Sequence, residues 1–189
     1  MSLSLDRLVC IDFEASSLGK HSYPIEVGLA DPATGEVHSW LIKPQPRWLA
    51  EGEWHPESAR VHGITQAQLS AEGQHPWIVY TDLLHVIEGR EVVSDNPDFD
   101  DQWFRVLIAA ALADTPEDRT RLGEKPPIIH DLDAIAWSLA VNCGRTPEIA
   151  WQKAELEACL RFPFAHRAGA DARHNAEMLR QIAGLSPLS

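Results

Sequence analysis

Two carboxylates stand close together near the start of the 189-residue chain. Asp12 and Glu14 belong to the segment LVCIDFEASSL, whose first half is apolar and predicts a buried strand. Because successive side chains of a strand point to opposite faces, Asp12 and Glu14 share one face. The apolar residues Val9, Ile11 and Phe13 share the other. Neighbouring carboxylates repel and raise each other's pKa, so this strand end either opens to solvent or holds a positive group.

Two later segments add further acids and a histidine. The segment SDNPDFDDQWF follows a predicted strand and opens a predicted helix, and the segment HRAGAD leads into the last predicted helix. His166 and Asp171 belong to the second of these segments. Open α/β sheets place their binding sites at strand ends and helix starts, so we expect both segments to meet Asp12 and Glu14.

The first of these segments holds four aspartates that compete for one place in the site: Asp95, Asp98, Asp100 and Asp101. Asp98 stands before an apolar helical run, at a position that suits the N-cap of the helix. Asp100 and Asp101 point about 100° apart around the helix axis, so the two cannot face one metal ion equally. The helical geometry alone leaves the choice between them open.

The elements that would position these residues follow from the pattern of apolar, turn-forming and proline residues. Short connections join the first three predicted strands, which favours a meander of antiparallel neighbours. Later strands alternate with helices. This order predicts an α/β fold with a central mixed five-stranded sheet flanked by helices. The predicted strands cover 8–14, 24–32, 37–44, 90–96 and 127–132, and the predicted helices cover 65–73, 76–89, 98–114, 133–144, 147–160 and 169–185.

Two segments show no clear hydrophobic periodicity of a helix or a strand. Residues 45–65 are rich in Trp and Pro and predict a loop with short helical turns, and residues 115–127 predict a polar surface loop. Since 44% of the residues are hydrophobic and 23% are charged, the chain is predicted to form a single domain over residues 1–189.

Composition also limits the classes of function. The formal net charge of −12 argues against a protein that coats long nucleic acid, although bound metal ions would neutralise some of the acids. Cys10, Cys143 and Cys159 are widely spaced and odd in number, which favours a reducing, cytoplasmic setting over a disulfide framework. We expect neither a signal peptide nor a membrane-spanning segment.

The motifs DFEASSL, IEVG, HGIT, NPDFD and HRAGAD occur in this order along nearly the whole chain. With these motifs the chain resembles the DEDD superfamily of 3′–5′ exonucleases, and most of all its DEDDh branch, which has a histidine in the last motif. That branch includes polymerase proofreading subunits and ribonuclease T. The resemblance implies a ribonuclease H-like fold and two divalent metal ions, Mg²⁺ or Mn²⁺, as cofactors.

The resemblance also implies roles for five residues. Asp12 and Glu14 match the first motif, Asp100 matches the aspartate after Asn and Phe in the second, and His166 and Asp171 match the third. By analogy the four carboxylates bind the metal ions, and Asp12 bridges both. Hard divalent cations prefer carboxylate oxygens, and two metals about 4 Å apart can activate water and stabilise a leaving oxygen. His166 would be the general base, because the ordinary pKa of imidazole lies near neutrality.

A further set of residues is expected to contact the terminal nucleotide. Leu18 would wedge against its base, although core packing explains this residue equally well. Ile64 would line the same pocket or form a buried cap under the sheet, and His62 of HGIT is expected to be structural. Many relatives carry Thr-Thr-Gly where this chain has Ala-Ser-Ser, which could change the grip on the terminal sugar. The predicted substrate-binding residues are Ala15, Ser16, Ser17, Leu18 and Ile64.

The sequence therefore predicts a metal-dependent 3′–5′ exonuclease that releases nucleoside 5′-monophosphates from single-stranded DNA or RNA 3′ ends. The alternative is a non-catalytic binding or scaffolding module for a polymerase or another nucleic-acid-processing partner. A pure scaffold has no physical need for four converging acids, which favours the enzyme. A homodimer or a polymerase complex is possible by analogy, and the choice between RNA and DNA stays open because it depends on contacts to the 2′-hydroxyl.

Overall fold

The computed structural model describes residues 4–113 and 126–188. Its strands are β1 (Leu8–Ala15), β2 (Pro24–Ala30), β3 (Val37–Leu41), β4 (Glu91–Ser94) and β5 (Ile129–Asp131). They form one five-stranded sheet in the order β3-β2-β1-β4-β5. The first three strands pair antiparallel, whereas β4 pairs parallel with both β1 and β5. The predicted α/β fold with a mixed five-stranded sheet is therefore confirmed.

The helices follow the predicted pattern within a few residues at each end. Short helices, α1 and α2, occupy the segment where only helical turns were predicted. Several helices begin with proline, whose fixed φ and missing N–H suit the first helical position. The predicted loop over 115–127 lies mostly outside the described residues. The helices are α1 (Pro46–Glu51), α2 (Pro56–His62), α3 (Gln66–Glu72), α4 (Pro76–Ile87), α5 (Pro97–Ala111), α6 (Leu132–Asn142), α7 (Pro147–Arg161) and α8 (Ala168–Ala183).

The predicted N-cap of α5 is wrong by two residues. The helix begins at Pro97, so Asn96 occupies the N-cap position and Asp98 lies inside the first turn. Proline sets the start, because its φ is already helical and it needs no hydrogen-bond acceptor. This places Asp100 within the first turn of a helix that begins three residues after the end of β4.

The two faces of β1 pack against different sets of helices. Val9, Ile11 and Phe13 lie in an apolar cluster with α4 and α5. Cys10 lies on the opposite face, in a cluster with α6, α7 and α8. The alternation predicted for β1 is thus observed, and it places Asp12 on the side of the sheet that α8 covers.

The start of α8 lies directly on the sheet. A Cβ atom added to Gly28 in β2 would stand 2.2 Å from the backbone carbon of Ala168, which is far below a normal contact distance. Glycine at this position therefore permits the close approach of helix and strand. Across the described part of the chain, we find no helix with the length and apolar character needed to span a membrane.

Candidate active site

The carboxyl ends of β1 and β4 open into one cleft. Because these strands run parallel, residues that follow them meet at the same edge of the sheet. Asp12 and Glu14 lie on the wall of a cleft of about 650 Å³. Asp100, His166 and Asp171 line the same cleft, so the structure brings together all five residues predicted for catalysis and metal binding. We call it the acidic cleft.

Asp100 and Asp101 point in different directions, as helical geometry requires. The side chain of Asp100 is 2% exposed, and its Oδ2 accepts a hydrogen bond of 2.5 Å from the Ser94 hydroxyl at the end of β4. The same hydroxyl accepts a hydrogen bond from the backbone N–H of Asn96. Asp101 instead forms an ion pair with Arg105 one turn further along, with 2.7 Å between Nε and Oδ2. Only Asp100 of this pair lies on the cleft wall.

Asp171 and His166 come from the start of α8 and the loop before it. Asp171 lies in the first turn of α8, and its carboxylate accepts a hydrogen bond of 2.8 Å from the N–H of Ala165. His166 is exposed and has a φ of 52°, in the left-handed region that residues other than glycine rarely occupy. One donor atom from each of Glu14, His166 and Asp171 lies within 4.8 Å of the others. Strained backbone of this kind clusters at functional sites.

An ion pair between a buried glutamate and a partly exposed arginine holds the loop before α8 against the sheet. Glu26 in β2 is 2% exposed and accepts two hydrogen bonds from the Arg167 guanidinium, at 2.6 and 2.9 Å. Its carboxylate also accepts hydrogen bonds from the backbone N–H of Ala168 and from the Ser39 hydroxyl. Since Arg167 follows His166 directly, this contact determines where the histidine stands relative to β1.

Burial raises the pKa of the four carboxylates that were predicted to bind metal ions. Burial, followed by repulsion from Asp100 and Glu14, raises the pKa of Asp12 well above its usual value. Burial and then the Asp171 carboxylate raise the pKa of Glu14 to about 8. Burial raises the pKa of Asp100 to about 8 despite the hydrogen bond from Ser94. Burial also raises the pKa of Asp171, against the hydrogen bond from Ala165.

These pKa shifts indicate an excess of negative charge. Arg167 lowers the pKa of Glu14, but its charge does not balance the neighbouring acids. Each acid is a hard oxygen donor, and such donors are the preferred ligands of Mg²⁺, Mn²⁺ and similar ions. The donor set therefore fits divalent cations, whose charge would return these carboxylates to the ionised form.

The residues predicted to contact substrate divide into two groups. Ala15, Ser17 and Leu18 line the acidic cleft, and Leu18 is 71% exposed, so core packing is the wrong explanation for it. The structure places Ser16 and Ile64 away from the cleft surface. Ser16 is buried, and its Oγ accepts a hydrogen bond from the backbone N–H of Tyr23. Ile64 is 1% exposed and packs under the sheet edge, in an apolar cluster with Tyr23, Ile25 and Leu69.

The structure adds cleft residues that the motifs did not indicate. A further part of the cleft wall consists of Glu53, His55, Glu57 and Val61. They belong to α2 and the segment before it, which show only a loop-like pattern in the sequence. The neighbouring HGIT motif was the one local signal that this segment takes part in the site.

His62 also lies on this wall and presents an unusual ring nitrogen. Its Nδ1 accepts a hydrogen bond of 3.0 Å from the N–H of Ile64. Its Nε2 is buried and has no hydrogen-bond partner among the described residues. Burial lowers the pKa of His62, which favours the neutral ring. The hydrogen atom of the neutral ring is then on Nε2.

Comparisons with known proteins give one family and several structures. The RNase T family model, described as an exonuclease, matches residues 9–179. No curated protein sequence matches the chain significantly. The zinc-bound complex of Escherichia coli ExoI with single-stranded DNA is 15% identical, has a TM-score of 0.63, and covers 94% of this chain and 40% of its own. The complex of E. coli exonuclease I with a dA16 oligonucleotide is 15% identical and has a TM-score of 0.61. The match covers 92% of this chain and 40% of the exonuclease I chain.

A smaller protein gives a similar result. Schizosaccharomyces pombe Pop2p, in its Mg²⁺- and Mn²⁺-bound form, is 18% identical, has a TM-score of 0.58, and covers 91% of this chain and 81% of its own. At these identities the likeness shows a shared fold. The chain spans about 40% of the length of the exonuclease I structures.

Proposed function

The chain belongs to the RNase T exonuclease family, among the DEDD-type exonucleases of the ribonuclease H-like superfamily, and we propose that it is a metal-dependent 3′–5′ exonuclease. Its substrates are single-stranded nucleic-acid ends, and its products are nucleoside 5′-monophosphates. One observation carries the proposal: Asp12, Glu14, Asp100 and Asp171 converge on one cleft beside His166, with too little positive charge to balance them.

The four carboxylates would hold two divalent cations, Mg²⁺ or Mn²⁺. Such ions, when bound, supply the activation of a water molecule and the stabilisation of charge on the leaving 3′ oxygen. Burial, followed by repulsion from the Asp100, Glu14, Asp95 and Asp171 carboxylates, raises the pKa of Asp12. By analogy with the family, Asp12 would help to hold both ions. Ser94 holds Asp100 in position, and the Ala165 N–H does the same for Asp171.

His166 accepts the proton of the attacking water. The exposed ring stands beside Glu14 and Asp171 at the rim of the cleft, where it can exchange the proton with solvent afterwards. A neutral imidazole is a suitable acceptor near pH 7, and a positioned general base contributes about 10²–10⁴-fold to rate. The ion pair between Arg167 and Glu26 keeps this loop against the sheet.

An apolar side chain in the cleft and the net charge of the protein favour a chain end over a duplex as the substrate. Leu18 projects from the strand end into the cleft and offers an apolar surface to a terminal base. The acidic body, with a net charge of −12, repels a long polyanion except where cations are bound. The solved structures with single-stranded DNA support this substrate class by analogy of fold.

A gel assay tests the proposal. Single strands labelled at the 5′ end are incubated with Mg²⁺ or Mn²⁺, with and without EDTA, and compared with strands labelled at the 3′ end. We expect stepwise shortening of the 5′-labelled strand, immediate release of labelled mononucleotide from the 3′-labelled strand, and no reaction in EDTA. Asp12→Ala and His166→Ala should each lower the rate by about 10²-fold or more.

The control is Asp98→Ala, which removes an exposed acid from the first turn of α5 and should leave the rate unchanged. Shortening from the 5′ end, or equal activity of the His166→Ala variant, would contradict the direction or the mechanism. Binding without any shortening would instead favour the scaffolding module. A cytoplasmic location, a homodimer and a polymerase partner stay predictions.

A further inference from the structure

A second set of metal-ligand side chains lies between α7 and α8. Glu155 and Cys159 are four residues apart on α7, so they share one face of that helix. His174 of α8 faces them. One donor atom from each of the three residues lies within 4.8 Å of the others. A carboxylate oxygen, a thiol sulfur and an imidazole nitrogen therefore converge on one point outside the acidic cleft.

The orientation of His174 is fixed by its surroundings. The ring is fully buried, and its Nδ1 lies 2.7 Å from the backbone oxygen of Phe162. Because a carbonyl oxygen only accepts, Nδ1 carries the proton, and Nε2 presents its lone pair to the Glu155 carboxylate at 3.5 Å. Histidines that bind metals commonly donate their second ring N–H to a backbone carbonyl in this way.

A lone pair that faces a carboxylate needs a cation between them. A second proton on the ring would satisfy the pair and make it a simple ion pair. The Cys159 thiol donates a hydrogen bond of 3.5 Å to the other carboxylate oxygen of Glu155. A proton between His174 and Glu155 leaves the thiol with this single hydrogen bond, whereas a metal ion would use all three side chains as ligands.

The distances suit a tetrahedral ion of the zinc class. With metal–ligand distances of about 2.0–2.3 Å, two ligands of one tetrahedral zinc lie about 3.3–3.8 Å apart. The Nε2-to-oxygen and sulfur-to-oxygen distances are both 3.5 Å. We propose that Glu155, Cys159 and His174 form a binding site for Zn²⁺ or a similar borderline-soft cation, with a solvent water as fourth ligand. Because the thiolate is the form of cysteine that binds metals, the thiol proton would be released to solvent when the metal binds.

The site joins the loop that carries His166. Besides the Phe162 carbonyl, His174 contacts the ring of Phe164, which stacks on it with 4.0 Å between centroids. Phe164 also lines the acidic cleft. A cation that ties α7 to α8 through His174 would therefore hold the base of this loop in place. The proposal concerns ligand binding alone and does not depend on the nuclease activity.

Cobalt substitution provides a direct test. The protein is titrated with Co²⁺ in the presence of excess Mg²⁺, which occupies the carboxylates of the acidic cleft. We expect one Co²⁺ per chain with a near-ultraviolet sulfur-to-cobalt charge-transfer band, because oxygen ligands alone give no such band. The band should disappear in Cys159→Ser and persist in Cys143→Ser, which changes another exposed cysteine. It should also persist in Asp100→Asn.

Because His174 is fully buried, its replacement could prevent folding, so Glu155→Gln is the second variant. It should lower the affinity for Co²⁺ or Zn²⁺ by about 10-fold or more. Zn²⁺ added in excess Mg²⁺ should raise the melting temperature of the wild type and leave that of Cys159→Ser unchanged. A titration without the charge-transfer band, or a band that survives in Cys159→Ser, overturns the proposal and leaves the histidine–glutamate ion pair as the explanation of the cluster.

Discussion

Asp100 and Asp101 are chemically identical neighbours that the fold treats differently. One step around α5 separates a buried carboxylate, held by Ser94 in the acidic cleft, from a partly exposed carboxylate paired with Arg105. Changing each aspartate to asparagine removes one charge and keeps the shape. The difference between the two variants therefore measures position alone.

We expect Asp100→Asn to abolish most turnover and Asp101→Asn to leave it within about twofold of the wild type. Asp100 is proposed as a direct metal ligand, and even the loss of groups that only orient a metal's ligands costs about 10–100-fold in activity. Asp101 forms an exposed i,i+4 ion pair with Arg105, and solvent screening makes the contribution of such pairs to stability small. Initial rates on one labelled strand decide the matter. Equal losses in both variants would mean that the second motif had been assigned to the wrong aspartate.

Leu18 is the clearest case of an apolar side chain that the core does not use. It is 71% exposed on the wall of the acidic cleft, so a ligand bound in the cleft would bury it. Leu18→Ala should raise KM for a single strand by roughly 10-fold, because burying a leucine side chain is worth about 1.5–3 kcal/mol. The matched control is Leu49→Ala, an exposed leucine of α1 that should leave KM unchanged. Unchanged KM in the Leu18 variant would exclude an apolar contact with the terminal base.

At the scale of elements, the end of β1 and the start of α5 bring acids together at a cost in stability. Burial raises the pKa of Glu14 and of Asp100 to about 8, from usual values of 4.5 and 3.8. At pH values between the usual and the raised pKa values, the folded, metal-free protein binds more protons than the unfolded chain. Its free energy of unfolding therefore falls as pH rises through this window, as far as these groups determine it.

Asp100→Asn removes one of these groups and should therefore reduce the fall in the free energy of unfolding with rising pH. In EDTA, we expect the variant to gain stability relative to the wild type from about pH 5 to about pH 8, by on the order of 1 kcal/mol or more. Urea unfolding across this range measures the difference. Mg²⁺ or Mn²⁺ at the upper end should reduce it, because cations stabilise the ionised wild-type site. If the free energies of unfolding of the variant and the wild type change in parallel with pH in EDTA, the pKa of Asp100 is not raised by folding.

The parts of this architecture that depend on local pattern were predictable from the sequence. The alternation of Val9, Ile11 and Phe13 with polar neighbours fixed the faces of β1, and prolines fixed several helix starts. The mixed sheet followed from three short-linked strands and then alternating elements. Errors of boundary came from competing local signals, as when Pro97 rather than Asp98 set the start of α5.

Contacts between distant segments were not predictable in this way. The ion pair between Glu26 and Arg167 joins residues 141 positions apart, and neither residue carries a local signal of its partner. The wall made by α2 and the segment before it depends on how that stretch packs back over β1. Ile64 shows the consequence, since its motif placed it near the site but tertiary packing buried it beneath the surface. Here packing, rather than propensity, decides which side chains meet the cleft.

At the scale of the whole molecule, the net charge of −12 limits how nucleic acid can be held. Proteins that track a long strand use many Lys and Arg contacts, and each neutralised phosphate adds about 0.7 to the slope of log K against log salt for a single strand. If the proposed function holds, cations in the acidic cleft would supply much of the positive charge that meets the chain end. Recognition is then confined to the few phosphates next to the chain end.

Binding should therefore be independent of strand length and weakly dependent on monovalent salt. The His166→Ala variant keeps all four carboxylates and allows equilibrium binding without rapid cleavage. With Mg²⁺ present, we expect short and long oligonucleotides to bind with equal affinity per 3′ end, with a salt slope equivalent to about two phosphates or fewer. A 3′-phosphate should weaken binding, because it adds charge and bulk where the terminal sugar enters. Affinity that grows with length together with a steep salt slope would point to an extended basic track and against recognition of the end alone.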